Sequence, residues 1–266
     1  MKRLFTLLIT LLLLFTYIVP QALAAEGGQP KKPLTIGIIG PMEKEIEIIR
    51  SKMDIESVEK LAHFTFYKGK LDDIDVVLVR SGIGKVNSAV AAQILITLYK
   101  VSFIINSGVA GALNPKLKVG EIVISKDSVQ HDVDQTAIDQ PPGKFEDSDV
   151  IYYKADERLI RLAQEAAKGL EGVRVFIGRV ASGDQFVADD KRRKEIIDTF
   201  QADAVEMEGA AIGQVAYLNG VPYVIIRSIS DSAVGSGEDY EKFANLAAKN
   251  ASYMIEEMVK RIPSDR

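Results

Sequence analysis

The sequence predicts an α/β fold in three layers, with a central twisted sheet, mixed but mostly parallel, between two layers of helices. Two observations support this prediction. Short apolar runs rich in Val and Ile alternate along the chain with longer stretches that carry apolar residues at helical spacing, as in sheets crossed by helices. The chain has 266 residues, 47% of them hydrophobic and 26% charged, which is the composition of an ordinary globular domain.

The residues before the predicted domain have the features of an export signal. A short basic start precedes an almost unbroken apolar run at residues 4–19 and an Ala-x-Ala pattern that ends at Ala24. This order is typical of secretory signal peptides, so we predict a signal peptide at residues 1–24 and a linker at residues 25–33. The expected location is periplasmic or extracellular. The alternative is an uncleaved membrane anchor, although a span usually needs about 20 apolar residues.

The predicted domain covers residues 34–262. Its strands are short runs of apolar, often β-branched residues, its helices repeat apolar residues every third or fourth position, and turn residues such as Asp72-Asp73 separate them. The predicted strands are 34–40, 64–71, 74–80, 101–106, 120–125, 173–180 and 221–226. The predicted helices are 41–53, 86–99, 155–170, 189–200, one that ends at 218, and 239–259.

Polar residues recur after these strands, which predicts a ligand site. They are Glu45, Ser81, Asp184, Glu208, Arg227 and Asp231. In open α/β sheets, ligands bind outside the carboxyl ends of the strands, so these residues are expected at one edge. Position alone does not make Glu43 or Glu45 catalytic, because acidic residues are common in the first turn of a helix.

The stretch Ala204–Ala211 holds two carboxylates inside an apolar run. In a strand, Glu206 and Glu208 would point to the same side. Buried carboxylates need hydrogen-bond donors, and two neighbouring sugar hydroxyls suit one carboxylate well. The alternative is an acidic helix start favoured by the helix dipole.

Three loops carry weaker signals. Ser81-Gly-Ile-Gly-Lys85 does not have Walker A spacing, yet it could form a backbone nest for an anion or a hydroxyl. The small residues at 107–112 form either a loop that a ligand approaches closely or a tight turn packed on a helix. Phe186 is either a platform for a flat ring or a core residue.

Composition excludes several classes of function. There is no Cys and there are only two His, so disulfides and thiolate chemistry are excluded and a structural zinc site is disfavoured. The cluster of His131, Asp132 and Asp134 in the long connection 126–151 is a weak metal candidate for the same reason. A net charge of -4 argues against nucleic acid and anionic membranes as partners.

Six motifs in this order resemble the purine nucleoside phosphorylase superfamily, and more closely its 5′-methylthioadenosine/S-adenosylhomocysteine nucleosidase family. The resemblance covers about residues 34–260. The motifs are Ile36-Gly-Ile-Ile-Gly-Pro-Met-Glu-Lys-Glu45, Ser81-Gly-Ile-Gly-Lys-Val86, Lys118-Val-Gly-Glu-Ile-Val123, Ser182-Gly-Asp-Gln-Phe186, Val205-Glu-Met-Glu208 and Arg227-Ser-Ile-Ser-Asp231. Each motif alone is weak, and their combination is specific.

The resemblance implies the nucleoside phosphorylase-like fold and an N-glycosyl hydrolase. Such an enzyme cleaves adenine nucleosides (5′-methylthioadenosine, S-adenosylhomocysteine, 5′-deoxyadenosine) into adenine and a 5′-substituted ribose. It implies that Glu45 activates water and that Asp231 protonates N7 of the leaving base. The implied substrate-binding residues are Ser81 and Arg227 on the sugar and water side, Met207 and Glu208 at the ribose, Phe186 and the Val187 backbone at the base, Ser230, and Tyr240 over the 5′ substituent.

The resemblance implies no metal, no cofactor and a homodimer, with a role in nucleoside catabolism and methionine salvage. Relatives are typically cytoplasmic, so an export signal is a departure from the family. Three alternatives stay open: a phosphate-dependent phosphorylase, a futalosine-type hydrolase, and an exported nucleoside-binding protein without activity. Glu43 and Glu45 around a lone Lys44 would repel phosphate and favour hydrolysis, although Arg227 would tolerate an anion.

Overall fold

A computed structural model describes residues 34–233 and 238–262 of the chain, and a mixed ten-stranded sheet forms the centre of this part. The predicted signal peptide and linker lie outside the described residues. The strands are β1 Thr35–Gly40, β2 Asp54–Leu61, β3 Phe64–Leu71, β4 Ile74–Arg80, β5 Phe103–Ala112, β6 Ile122–Gln130, β7 Tyr153–Lys154, β8 Val175–Ser182, β9 Ala204–Glu206 and β10 Tyr223–Asp231. The helices are α1 Glu43–Lys52, α2 Lys85–Thr97, α3 Glu157–Ala167, α4 Asp190–Phe200, α5 Gly209–Asn219 and α6 Glu238–Lys260, with a 3-10 turn at Thr136–Ile138.

The sheet is open at one end and closed at the other. Strand β1 pairs in parallel with β4 on one side and with β5 on the other. Beyond β4, strands β3 and β2 are added in antiparallel order and form the open edge. On the other side, β10 pairs with both β5 and β6, β6 continues to β8 and β9, and β9 returns to β5. These five strands therefore form a ring, which brings β9 beside the end of β5.

Helices cover both faces of the sheet and bury its apolar side chains. This arrangement confirms the predicted three-layer α/β class. On one face, α1, α3 and α6 pack on residues such as Ile38 and Ile105. On the other face, α2 and α5 pack on residues such as Ile104 and Ile225. Both groups of strand residues are fully buried. No helix in the described ranges combines the length and the apolar character needed to cross a bilayer.

The described strands differ from the prediction at several places, which include the unpredicted β7 and the extension of β10 to Asp231. The small residues 107–112, predicted as a loop, continue β5, because they pair with β10 as far as Gly111 opposite Asp231. Strand β6 likewise runs on to Gln130. Strand β2 was not predicted, because its mainly exposed residues lack an apolar pattern and it forms only by pairing with β3.

Candidate active site

A cavity of about 310 Å³ opens at the carboxyl ends of β5, β9 and β10. It is lined by eight of the ten residues predicted to act in catalysis or binding. These eight are Glu45, Phe186, Val187, Met207, Glu208, Ser230, Asp231 and Tyr240. The structure thus brings together residues from distant parts of the chain, and the part each plays stays a prediction.

The two other predicted residues lie outside the cavity wall. Ser81 is fully buried, and its hydroxyl donates to the carbonyl oxygen of Gly82 at 2.9 Å. Arg227 is also fully buried and sits behind the wall, where it contacts carboxylates that face the cavity. The structure therefore places Arg227 as support for the wall, and a direct contact of either residue with substrate stays a prediction.

Glu45 is fully buried in the first turn of α1, with its carboxylate held by backbone amides. The amide of Met42 donates to Oε2 at 2.7 Å, and the amide of Val109 donates to Oε1 at 3.0 Å. Burial raises the pKa of Glu45 to about 7, although the charge of Arg227 and the two amides oppose the rise. Near neutral pH this carboxyl group can therefore both take up and release a proton.

Asp231 ends strand β10 and is fixed from both sides. The amide of Ala233 donates to Oδ1 at 2.8 Å, and the hydroxyl of Ser230 lies 2.8 Å from Oδ2. The backbone turns at Ala233, whose φ of 54° lies in the left-handed region. Asp231 is only 7% exposed, and its exposed part faces the cavity.

Arg227 is the centre of a buried charge cluster. Its Nη2 contacts the carboxylate of Glu206, lies 3.5 Å from Oε2 of Glu208, and donates to Oδ1 of Asn106 at 2.7 Å. Burial would lower the pKa of Arg227, but the surrounding carboxylates hold that pKa above its ordinary value, so the guanidinium stays charged. The cluster needs this cation, because uncompensated buried carboxylates are costly.

Gly108 leaves room for the guanidinium. A Cβ at this position of β5 would lie 1.6 Å from Nη1 of Arg227 and 3.0 Å from Oε1 of Glu45. Any other residue would therefore displace the cation. At Gly108 the group that approaches the backbone is the protein's own arginine, and the close approach of a ligand to residues 107–112 stays a prediction.

Glu206 is a structural residue of the site, and the sequence motifs assign it no role of its own. It accepts from the amides of Glu208 and Gly209 and from the hydroxyl of Ser182, and it contacts Arg227. It thereby fixes the turn that carries Glu208 into the cavity. The sequence does contain a signal for the pairing of Glu206 with Arg227. A buried carboxylate needs a cation, and Arg227 follows the apolar run Tyr223–Ile226.

The predicted nest at the start of α2 holds carboxylates of the same chain. The amide of Gly84 donates to Oε1 of Glu208 at 2.9 Å, and the amide of Lys85 donates to Oδ1 of Asp184 at 2.8 Å. Gly84 has a φ of 98°, which favours glycine. Burial and the charge of Glu206 raise the pKa of Glu208, and Arg227 opposes the rise. The nest is therefore occupied by two carboxyl groups of the protein itself.

Two aromatic rings form the outer wall of the cavity. Phe186 and Tyr240 meet edge to face, with ring centroids 5.6 Å apart. Phe186 is 54% exposed, so it is not a core residue and its ring is open to a ligand. The hydroxyl of Tyr240 donates to Sδ of Met42 at 3.1 Å, which ties α6 to the loop before α1.

The residues of the weak metal candidate contact other groups of the protein. Nδ1 of His131 lies 3.0 Å from Nη2 of Arg192, Asp132 binds Lys85, and Asp134 binds Thr136. Burial and the charge of Arg192 lower the pKa of His131 to about 4. Within residues 34–233 and 238–262, no group of three His or carboxylate side chains has the arrangement of a metal site.

Known proteins resemble this chain over nearly all of its described residues. The model of the phosphorylase superfamily matches residues 35–260. The 5′-methylthioadenosine/S-adenosylhomocysteine nucleosidase of Bacillus velezensis is 40% identical over 233 residues, which are 86% of this chain and 100% of that protein. Two solved structures are also similar. The nucleosidase of the same name from Neisseria meningitidis, in complex with methylthio-immucillin-A, has a TM-score of 0.83 and 39% identity, over 86% of this chain and 99% of that one. The futalosine hydrolase of Helicobacter pylori has a TM-score of 0.82 and 34% identity, over 86% and 98%.

Replacing Arg227 with Met should destabilise the protein strongly. The change keeps much of the side-chain volume but leaves the carboxylates of Glu206 and Glu208 without their cation. We expect the free energy of unfolding at pH 7 to fall by about 3–5 kcal/mol in urea titrations. The control is Arg158→Met, which removes an ion pair with Asp156 whose arginine side chain is 68% exposed. It should cost less than about 1 kcal/mol. Equal stability of the two variants would contradict the prediction.

Proposed function

We propose a residue-level mechanism for this chain, which belongs to the phosphorylase superfamily and, within it, to the 5′-methylthioadenosine/S-adenosylhomocysteine nucleosidases. The chain is an N-glycosyl hydrolase that cleaves the N-glycosidic bond of adenine nucleosides. The observation that supports the assignment of roles is that Glu45, Glu208 and Asp231 line one cavity. The site residues require neither a metal nor an organic cofactor in this mechanism.

The positions of these side chains support one orientation of the nucleoside. The base lies against Phe186, with its edge toward the backbone of Val187 and its N7 toward Asp231. The ribose lies over Met207, and its hydroxyls donate to Glu208. The 5′ substituent leaves the cavity past Tyr240, which closes its outer wall.

Asp231 protonates the leaving base. Adenine is a poor leaving group as an anion, and a proton delivered to N7 makes it neutral as the bond to C1′ breaks. The hydroxyl of Ser230 and the amide of Ala233 hold the carboxyl group of Asp231 in one orientation. The contribution of Ser230 is therefore to aim the proton donor, and it needs no contact of its own with the base.

Glu45 activates the water. As the base departs, the ribose becomes oxocarbenium-like, and the carboxylates around it stabilise the developing positive charge. Water then attacks C1′ while Glu45 takes up its proton. Because the pKa of Glu45 is raised to about 7, its carboxylate is basic enough to accept a proton and is still substantially ionised at neutral pH.

Hydrolysis fits this cavity better than phosphorolysis. Among the described residues, the cavity is lined by three glutamates and Asp231 but by no arginine. The backbone nest at the start of α2, which could otherwise receive an anion, holds Glu208 and Asp184. A phosphate dianion would therefore meet repulsion and find few donors.

The identity of the 5′ substituent is a question for a substrate panel. Likeness to the futalosine hydrolase favours including futalosine as a second candidate substrate. Released base is measured for 5′-methylthioadenosine, S-adenosylhomocysteine, 5′-deoxyadenosine and futalosine, with and without phosphate. We expect adenine release from 5′-methylthioadenosine that does not depend on phosphate. A phosphate requirement with a sugar 1-phosphate product would indicate a phosphorylase, and binding without product would indicate a binding protein.

Removing either proposed proton-transfer group should slow the reaction by roughly 10²–10⁴-fold. Glu45→Gln cannot accept the proton of water, and Asp231→Asn cannot donate to N7. The control is Glu43→Gln, two residues before Glu45, because the side chain of Glu43 is 46% exposed and pairs with Arg50 outside the cavity. This control should keep its activity. Full activity in Glu45→Gln or Asp231→Asn would refute the assigned roles.

The pH profile gives an independent check on Glu45. The ionised form is the base, so kcat/KM should rise as the pH increases through about 7. A profile without any acid limb near this pH would argue that Glu45 is not the base.

We also propose a homodimer that forms beside the cavity. Three apolar residues at and after the start of α2 are unusually exposed: Ile83 at 52%, Val86 at 75% and Val90 at 39%. Such a cluster of exposed apolar residues favours a protein partner, and we expect the connection 126–151 to extend the contact.

Val86→Asp should convert a dimer into a monomer, because it places a charge in the centre of this apolar surface. The control is Leu98→Asp, since Leu98 is 61% exposed at the other end of α2. Light scattering coupled to gel filtration measures the mass of each variant. A wild-type monomer, or dimers in both variants, would contradict this interface.

We propose that the enzyme is exported. Residues 1–24 contain a basic start, an apolar run and an Ala-x-Ala pattern in the order that is typical of a signal peptide. An exported nucleosidase would act in nucleoside catabolism outside the cytoplasmic membrane. A role in methionine salvage would further require that the 5′-substituted ribose return to the cell.

Cell fractionation followed by mass spectrometry of the N-terminus tests the export of the full chain. We expect a mature protein that begins at Ala25 and is released by osmotic shock or found in the medium. Uncleaved protein in the membrane fraction would support the anchor instead. Uncleaved protein in the cytoplasm would contradict both.

A further inference from the structure

Three residues beside the active-site cavity form a bonded group that the mechanism above does not use. Nζ of Lys85 donates to Oδ1 of Asp132 at 2.6 Å, and the amide of Asp184 donates to Oδ2 of Asp132 at 2.9 Å. The amide of Lys85 donates to Oδ1 of Asp184 at 2.8 Å. None of the three lines the cavity. We call Lys85, Asp132 and Asp184 the loop tie.

The loop tie joins three segments that follow different strands. Lys85 starts α2, Asp132 follows β6, and Asp184 follows β8. Next to Lys85, the amide of Gly84 donates to Oε1 of Glu208. Shortly after Asp184, Phe186 and Val187 form part of the cavity wall. The loop tie therefore links the segment that holds the ribose-binding carboxylate to the segment that carries the base platform.

The contacts around Asp132 are partly shielded from water. The side chains of Lys85 and Asp132 are only 18% and 16% exposed. Burial opposes ionisation of Asp132, but its bonds to Lys85 and to the amide of Asp184 lower its pKa below the ordinary value. The ring of His131 packs closely against Gly183, the residue before Asp184, because a Cβ on Gly183 would lie 2.5 Å from the ring. This packing also holds the loop that carries Asp184. Charge-assisted hydrogen bonds in such a setting are stronger than those on an open surface.

We propose that Asp132 is a positioning residue for nucleoside hydrolysis: its carboxylate fixes the loop that carries Phe186 and Val187 relative to the Gly84 amide that holds Glu208. The proposal rests on the function proposed above. The base and the ribose of one substrate must be held together to within a fraction of an ångström, and two loops held independently would not ensure that.

Asp132→Asn is the sharpest test, because it keeps the shape of the side chain. Asp132 accepts from two donors, the ammonium of Lys85 and the amide of Asp184. Asparagine offers a single oxygen, so its NH₂ group must face one of these donors and one bond is lost. We expect kcat/KM for 5′-methylthioadenosine to fall roughly tenfold, mainly through a higher KM, as follows from the loss of one charged hydrogen bond. Binding of adenine alone, measured by titration calorimetry, should weaken as well.

The matched control is Asp198→Asn on α4. Asp198 also pairs with a lysine, Lys194, but their side chains are 59% and 74% exposed and lie outside the cavity wall. This variant should keep its KM and its affinity for adenine. A change of similar size in both variants would show that the effect does not come from the loop tie.

Lys85→Met provides a second approach to the same bond, and it serves if Asp132→Asn does not fold. In a double-mutant cycle, the combined variant should be scarcely worse than the worse single variant, because both changes remove one shared interaction. Additive losses, or a KM and an adenine affinity within twofold of the wild type in both single variants, would overturn the proposal. Calorimetry with adenine needs no turnover, so it tests the loop tie even if the wild-type enzyme releases no adenine from any nucleoside.

Discussion

The pairing of one buried cation with the surrounding carboxylates is the constraint on which the site depends. Arg227 is fully buried, and it compensates Glu206 and Glu208 directly and lowers the pKa of Glu45 from a distance. Without it, three buried carboxyl groups would lie close together with no cation to balance them, which is costly. With Arg227 in place, the three carboxyl groups are stabilised to different degrees, because they lie at different distances from the cation. Glu206 is in close contact with the cation and acts as structure, whereas Glu45 keeps a pKa near neutrality and faces the cavity.

The closed part of the sheet makes this cluster possible. Glu206 ends a three-residue strand, β9, which pairs with β5 and β8, and Arg227 lies in β10, which pairs with β5 on its other side. Strand β5 therefore lies between the cation and the segment that carries its partners. The side chain of Arg227 can pass it only because Gly108 has no Cβ. The small residues of β5 thus serve the charge cluster, and in an open sheet β9 would not lie beside the end of β5.

Sequence reasoning identified the fold class and eight of the residues that line the cavity, and it failed where structure depends on strand neighbours. Alternating apolar runs predicted the layers, and the family resemblance predicted those eight residues, including Glu45 and Asp231. Strand β2 was missed because its exposed, charged residues carry no burial pattern. The continuation of β5 was missed because small residues have little strand preference of their own and follow their partner β10. The part played by Glu206 depends on which strands become neighbours, and local periodicity does not contain that information.

The carboxyl groups in the nest at the start of α2 also bear on the choice between hydrolysis and phosphorolysis. A helix start with Gly-x-Gly offers free amides, which suits a phosphate group. Here Glu208 and Asp184 occupy those amides, so the nest is not free for an external anion, and in the proposed mechanism it holds the carboxylate that binds the ribose. Filling the nest from within therefore has two effects at once. It takes up amides that would suit a phosphate nucleophile, and in the proposed mechanism it leaves water as the nucleophile that Glu45 activates.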